Sequence, residues 1–438
     1  MNRRKSLIRY VVPSVLSMVS FFLFTVIDGI FVGTGVGTAG LGAINIVWPY
    51  IMILNGVAML FTIGGLTITA IRIGRGDTEG ANQVFIHSMI LIVIVCAVLG
   101  IGAVFFTEPL CRMMGATDVF IDMAKDYLWT YGLCFIPVGV LIGLNGFCRN
   151  DDDPVLVTVG MVIATSFNVF GDWLFIFPLG MGLKGAAIAT DLAQILQIFI
   201  LLTHFIRKKG ILGFRKCRFD PGLIRLMIIR GFPECISQFS VPVSTIVTNL
   251  MLVRYIGEVG VNSYSVICYV ASFSVAVFAG CAEGLQPLFG QCYGAKREKD
   301  LKWFFKCGLI ISITGALLIL VLLGFVGKGI FTLYSIDAAT MKMTMESVFK
   351  FSWGFPVQAV TVMISSYLYS TTRTKPAIII NVLRTFAVNV AVILIVPSIF
   401  GADSIWYTFG IFETIVMTVS VLLLFRYDRR GVIGNALE

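Results

Sequence analysis

Apolar residues run in long unbroken blocks, each near the roughly 20 residues a helix needs to cross a bilayer's hydrocarbon core. Twelve such blocks predict twelve transmembrane helices, over 10–33, 43–71, 83–106, 127–148, 155–178, 185–206, 231–255, 263–290, 307–327, 348–371, 377–399 and 405–425. The segments between them are short, so the expected fold is an all-α integral membrane protein with almost nothing left for a soluble domain. The first block follows a basic start, as a signal peptide would. It runs from Tyr10 to Gly33 without a cleavage pattern, however, and reads as the first spanning helix. Composition agrees, because 58% hydrophobic and 13% charged residues, with a mean hydropathy of +0.93, do not suit a water-exposed globular surface.

Charge supplies orientation. With both termini cytoplasmic, the inner segments hold 25 of the 33 Lys and Arg residues. The outer segments hold Arg112, Lys125, Lys184, Arg254, Lys328, Lys342 and Lys350, and Arg384 falls within a membrane block. That bias is the positive-inside pattern of a multi-pass protein of the plasma (cytoplasmic) membrane. The ten cysteines are scattered singly, and His87 and His204 lack partners at metal-ligand spacing, so no disulfide framework, metal or cofactor is expected. No Walker or dinucleotide loop is present, which leaves an ion gradient as the energy source for any transport.

The prolines disclose a repeat. Pro13 and Pro233 are 220 residues apart, Pro137 and Pro356 are 219, Pro154 and Pro376 are 222, and Pro178 and Pro397 are 219. Gly74-Arg75-Gly76-Asp77 likewise falls 220 residues before Gly294-Ala295-Lys296-Arg297. The expected organisation is an N-lobe over 1–206, a basic cytoplasmic linker over 207–230 and a C-lobe over 231–438. Six helices per lobe is an even number, so the halves form a parallel pseudo-two-fold repeat about the membrane normal. Two such lobes facing a central cleft imply transport by alternating access.

The membrane blocks contain a few groups that are costly to bury. A carboxylate in a spanning helix costs about 2.5–3.5 kcal/mol on insertion scales and by default marks a pathway or binding site. Asp28 and Asp172 sit at similar depth in the outer half of helices 1 and 5, and Asn168 shares a helical face with Asp172. If the two acids share a cavity, a proton or a bound cation relieves their repulsion. Asn168 and Thr190 can add oxygens for a hard cation. The alternative for these residues is interhelical hydrogen bonding alone. Asp191, Glu283 and Gln286 are candidates for the substrate cleft. Arg384 and Glu413, at depths differing by about 6–8 Å on a helical rise of about 1.5 Å per residue, are expected to pair. Asp153-Pro154 reads as an N-cap followed by proline at the first helical position, in preference to a divalent metal site with Asp151 and Asp152.

Several motifs together resemble the multidrug and toxic compound extrusion (MATE) family. They are Pro13 with Asp28-Gly29-Ile30-Phe31-Val32-Gly33, Gly64-Gly65 through Arg72-Ile73-Gly74-Arg75-Gly76-Asp77, and Arg149-Asn150-Asp151 with Asp153-Pro154. Asn168 with Asp172, Pro178-Leu179-Gly180-Met181-Gly182, Gly185 through Thr190, Gly284-Leu285-Gln286-Pro287 and Tyr293-Gly294-Ala295-Lys296 complete the set. The resemblance implies a twelve-helix antiporter whose N-lobe cation site corresponds to Asp28, Asn168, Asp172 and Thr190. The other family branch carries a coupling glutamate in helix 7, where this chain has Val241. Many relatives carry glutamine where this chain has Glu283. The expected function is export of amphipathic organic cations in exchange for sodium ions or protons, by a monomer that binds no nucleic acid and is not an enzyme. The rival readings are a flippase for a lipid-linked precursor, which would want a basic cleft, and an integral-membrane enzyme acting on lipid.

Overall fold

The computed structural model describes residues 3–116, 118, 121–332 and 338–428, and every regular element among them is helical. The basic tail residues Arg429 and Arg430, counted above among the inner positive charges, lie outside the described residues.

The first half contains α1 (Arg3–Gly35), α2 (Thr38–Arg75), α3 (Thr78–Phe105), the short α4 (Thr107–Met113), α5 (Ile121–Leu133), α6 (Phe135–Asn150), α7 (Pro154–Ile176) and α8 (Gly182–Ile206). The second contains α9 (Pro221–Ser237), α10 (Ser240–Tyr255), α11 (Glu258–Gly294), α12 (Glu298–Thr332), α13 (Ala338–Ser352), α14 (Phe355–Ser370), α15 (Thr374–Val382), α16 (Val388–Phe400) and α17 (Thr408–Asp428). A π-helical turn, Leu383–Ala387, joins α15 to α16. Three of the twelve expected blocks are therefore broken helices: α5 with α6, which bend by 54°, α9 with α10, and α13 with α14. Among the described residues, ten spans are long and apolar enough to cross a membrane, and the bent pair makes an eleventh. The remaining block, 348–371, is divided between the end of α13, a helix that also carries Lys342, Glu346 and Lys350, and α14.

Prolines set two of these breaks. Pro137 has no N–H to donate to the carbonyl of Leu133, and α5 ends at Leu133. Pro356 stands in the same relation to Ser352, where α13 ends.

The chain forms two compact units, Val12–Cys235 and, together with Met1–Val11, Ile236–Glu438. In the first unit, glycines let helices approach closely. A Cβ at Gly64 would strike the Met227 carbonyl, and one at Gly231 the Leu60 carbonyl, so α9 lies backbone to backbone against α2. The segment after α8 is fastened to this unit. Asp151 accepts hydrogen bonds from the Ile211 and Leu212 backbone amides at 2.8 and 3.1 Å, and Asn82 Oδ1 accepts from Gly213 at 2.7 Å. The His204 ring bridges Asp151 (2.9 Å) and Asp153 (3.2 Å), while His87 Nε2 accepts from the Asp220 amide at 2.9 Å. Phe214 packs on Phe85 and Phe205, with ring centroids 5.3 and 5.5 Å apart. Outside the spans, hydrogen bonds from Lys125 and Arg112 hold the Glu108 carboxyl below its ordinary range.

The second unit is built around Phe351, Phe355, Phe409 and Phe412, with Phe351 stacked on Phe409 at 4.4 Å. Arg3 forms a salt bridge with Asp300 there.

Candidate functional site

The candidate site lies in the first unit, where α1, α5, α7 and α8 carry its side chains. Helix α1 is tied to α7 near its start: the Thr158 hydroxyl donates to the Pro13 carbonyl at 2.7 Å, and Ser17 and Thr158 hydroxyls lie 2.9 Å apart. Phe31 meets Phe177 edge to face at 6.0 Å farther along. Helices α7 and α8 meet through small residues, with Gly171 against Ala189 and Gly185 against Phe175. This close approach is what lets polar groups of the two helices touch.

Asn168 and Asp172 are fully buried, and Thr190 is nearly so. The Asn168 amide donates to Thr190 Oγ1 at 3.3 Å and to Asp172 Oδ1 at 3.5 Å. Asp28, half-buried on α1, brings its carboxyl within hydrogen-bonding reach of Asp172. Three buried oxygens of this group, Asp28 Oδ1, Asn168 Oδ1 and Asp172 Oδ2, have no hydrogen-bond partner. The two carboxylates only accept when ionised, and the donors of Asn168 and Thr190 leave these three oxygens unmatched. The cluster calls for a proton or a cation.

Sequence reading did not single out the aromatic floor beneath these acids. Tyr127 and Tyr131 of α5 stack in parallel at 6.0 Å, Tyr131 meets Phe135 edge to face at 5.7 Å, and Phe135 stacks on Tyr50 at 5.8 Å. The Tyr127 phenol lies within electrostatic reach of Asp28, Asp172 and Asp191. Its spacing of four residues from Tyr131 was a visible signal, but tyrosines at that spacing commonly fill ordinary helix interfaces. Asp191 is buried beside Cys134, on the neighbouring face of α8 from Thr190.

The other candidates lie elsewhere. Glu283 is half-buried and Gln286 buried in α11 of the second unit. Arg384 Nε bonds Glu413 Oε1 at 2.8 Å, with side chains 11% and 1% exposed. Asp153 accepts from the Leu156 amide as the N-cap of α7, with Pro154 following. Among the described residues no group of three or more His, Cys, Asp or Glu is arranged to hold a metal ion.

The MatE family profile matches residues 13–174 and again 233–395, once in each half of the repeat. The chain belongs to this family, the multidrug and toxic compound extrusion transporters. Relatives of this MATE chain include the multidrug export protein MepA of Staphylococcus saprophyticus, 22% identical over 99% of this chain and 96% of its own length. MepA of Staphylococcus aureus strain N315 is 20% identical over 96% and 93%. A crystal structure of MATE in complex with MaL6 superposes with a TM-score of 0.92 at 20% identity, covering 99% of this chain and 97% of that one. A MOP superfamily transporter from Pyrococcus furiosus, described as having a binding pocket of reverse polarity, gives 0.91 at 21% over 98% and 97%. The fold is thus that of the MATE transporters, an all-helical membrane protein of many spans.

Proposed function

We propose that this MATE chain is a secondary active antiporter that exports amphipathic organic cations in exchange for sodium ions or protons. It works as a monomer in the plasma membrane, with both termini cytoplasmic. One observation carries the reading: the unpartnered oxygens of Asp28, Asn168 and Asp172 gathered next to Thr190 inside a membrane unit. A coupling ion bound there relieves the repulsion between two neighbouring carboxylates, so the occupied and empty forms of the unit differ in energy. Export follows if substrate binds better to the empty form, since ion and substrate then weaken each other reciprocally. The acidic character of the group suits a cationic ligand and disfavours the phosphate of a lipid-linked precursor. The names of the MepA relatives support organic compounds as cargo.

Proteoliposomes loaded with ethidium test this. Efflux is expected to follow an imposed sodium or proton gradient, and Asp28→Asn is expected to weaken that dependence while the protein still reconstitutes in normal amount. Undiminished ion-driven efflux in Asp28→Asn would overturn the proposal.

A further inference from the structure

The first unit holds a third membrane-buried acid that the coupling group just described does not use. Asp191 is 5% exposed, and its Oδ1 has no hydrogen-bond partner. No lysine or arginine pairs with it among the described residues. Next to it on α8, one turn further on, Gln194 Oε1 is a second buried oxygen without a partner.

The surroundings of Asp191 come from separate elements. Thr190 turns toward Asn168 on α7, and the next residue of a helix points about 100° away, given roughly 3.6 residues per turn. Asp191 therefore faces the α5–α6 break, where the bend leaves Cys134 between the helices and its thiol beside the carboxyl. Tyr131 of α5 lies within reach of both Gln194 and Asp191. Tyr127, stacked on Tyr131, stands within electrostatic reach of Asp191 as well as of Asp28 and Asp172. The titratable groups around Asp191 are thus Cys134, Tyr127 and Tyr131, with Asp28 and Asp172 also interacting with the phenols. None is a base that would be cationic.

An uncompensated charge in such a place costs several kcal/mol or more, whereas a bound proton or a cation held by oxygens removes the cost. We infer that Asp191, with Gln194 Oε1, is a second monovalent-ion station, separate from the Asp28 and Asp172 pair, and that the transporter exchanges two ions for each substrate. The inference rests on the antiport reading above. It gives the tyrosine stack a role as the element that interacts with both stations.

Stoichiometry decides it. Wild-type protein in proteoliposomes, with the membrane potential clamped at zero, is equilibrated with ethidium under graded sodium gradients and, in separate vesicles, graded proton gradients. The ethidium ratio at equilibrium follows the ion ratio raised to the number of ions exchanged. A tenfold ion gradient then supports about 100-fold accumulation with two ions and about 10-fold with one. The wild type is expected to show the steeper dependence, Asp191→Asn the shallower one, and Asp191→Glu the steeper one again. A wild type with one-ion dependence overturns the inference even if Asp191→Asn fails to fold, and so does an unchanged exponent in Asp191→Asn. A wild type indifferent to both gradients overturns the antiport reading itself, so the two failures are told apart.

Discussion

Gly210 shows how much can rest on a hydrogen atom. A Cβ there would run into the Asp151 carboxylate, which already accepts from the Ile211 and Leu212 amides and from the His204 ring. Gly210→Ala is expected to push the segment off its acceptor and cost about 1–3 kcal/mol. The melting temperature of the purified protein should fall accordingly. Asp151→Ala should lower it too, but Gly210→Ala added to Asp151→Ala should cost little more, because the clash has gone. Strict additivity of the two losses would show that they do not meet. Asp153 and Pro154 were legible in the sequence as a helix start, since a cap is a local pattern. The role of Asp151 was not, because its partners are 53 to 61 residues away and no spacing rule reaches them. The coupling residues divide in the same way. Asn168 and Asp172 announce themselves by lying one turn apart, whereas the flanking tyrosines of α5 become informative only once folding brings them beside the acids.

At the scale of elements, the apolar blocks located the helical membrane segments but concealed the breaks within three of them. Pro137 and Pro356 were read as markers of the repeat, and each also ends the helix four residues before it. Hydropathy is insensitive to such a break because the residues on both sides remain apolar. The π turn at Leu383–Ala387 was equally hidden. The family profile runs from 13 to 174 in one half and from 233 to 395 in the other, an offset of 220 at its start and 221 at its end, and at 221 Asn389 takes the place of Asn168 and Ile393 that of Asp172. The π turn carries Arg384, whose guanidinium meets Glu413 of α17. Removing one partner of a buried pair costs about 3–5 kcal/mol, while replacing both by apolar groups can be nearly neutral. Arg384→Met and Glu413→Met are each expected to lower the melting temperature sharply, and the double variant to recover most of the loss. A double variant as unstable as the sum of the singles would mean that the pair does not act as one unit.

Across the whole molecule, the two halves share a template but not its acids. The family profile matches both, yet the counterparts of Asp28 and Asp172 are Thr248 and Ile393. Ion binding at the proposed site is therefore confined to residues of the Val12–Cys235 unit, and its energetic signature must originate there. A ligand that binds only the folded form stabilises it by about 2.7 kcal/mol at a hundredfold excess over its Kd. The melting temperature of detergent-purified protein is accordingly expected to rise with the coupling ion. If the ion is sodium, the rise appears when sodium replaces choline at constant pH and ionic strength. If it is the proton, the rise appears as pH falls at constant sodium. Asp172→Asn replaces the carboxylate by a neutral amide of the same shape, so its stability should respond clearly less to the ion that stabilises the wild type. Asn389, which holds the matching amide position in the other half, supplies the contrast. It is hydrogen-bonded to Ser244 and to the Thr385 carbonyl and has no neighbouring carboxylate in the repeat, so Asn389→Ala should lower the baseline stability and leave the ion response intact. An ion response that survives Asp172→Asn undiminished but disappears in Asn389→Ala would move the coupling site to the second unit.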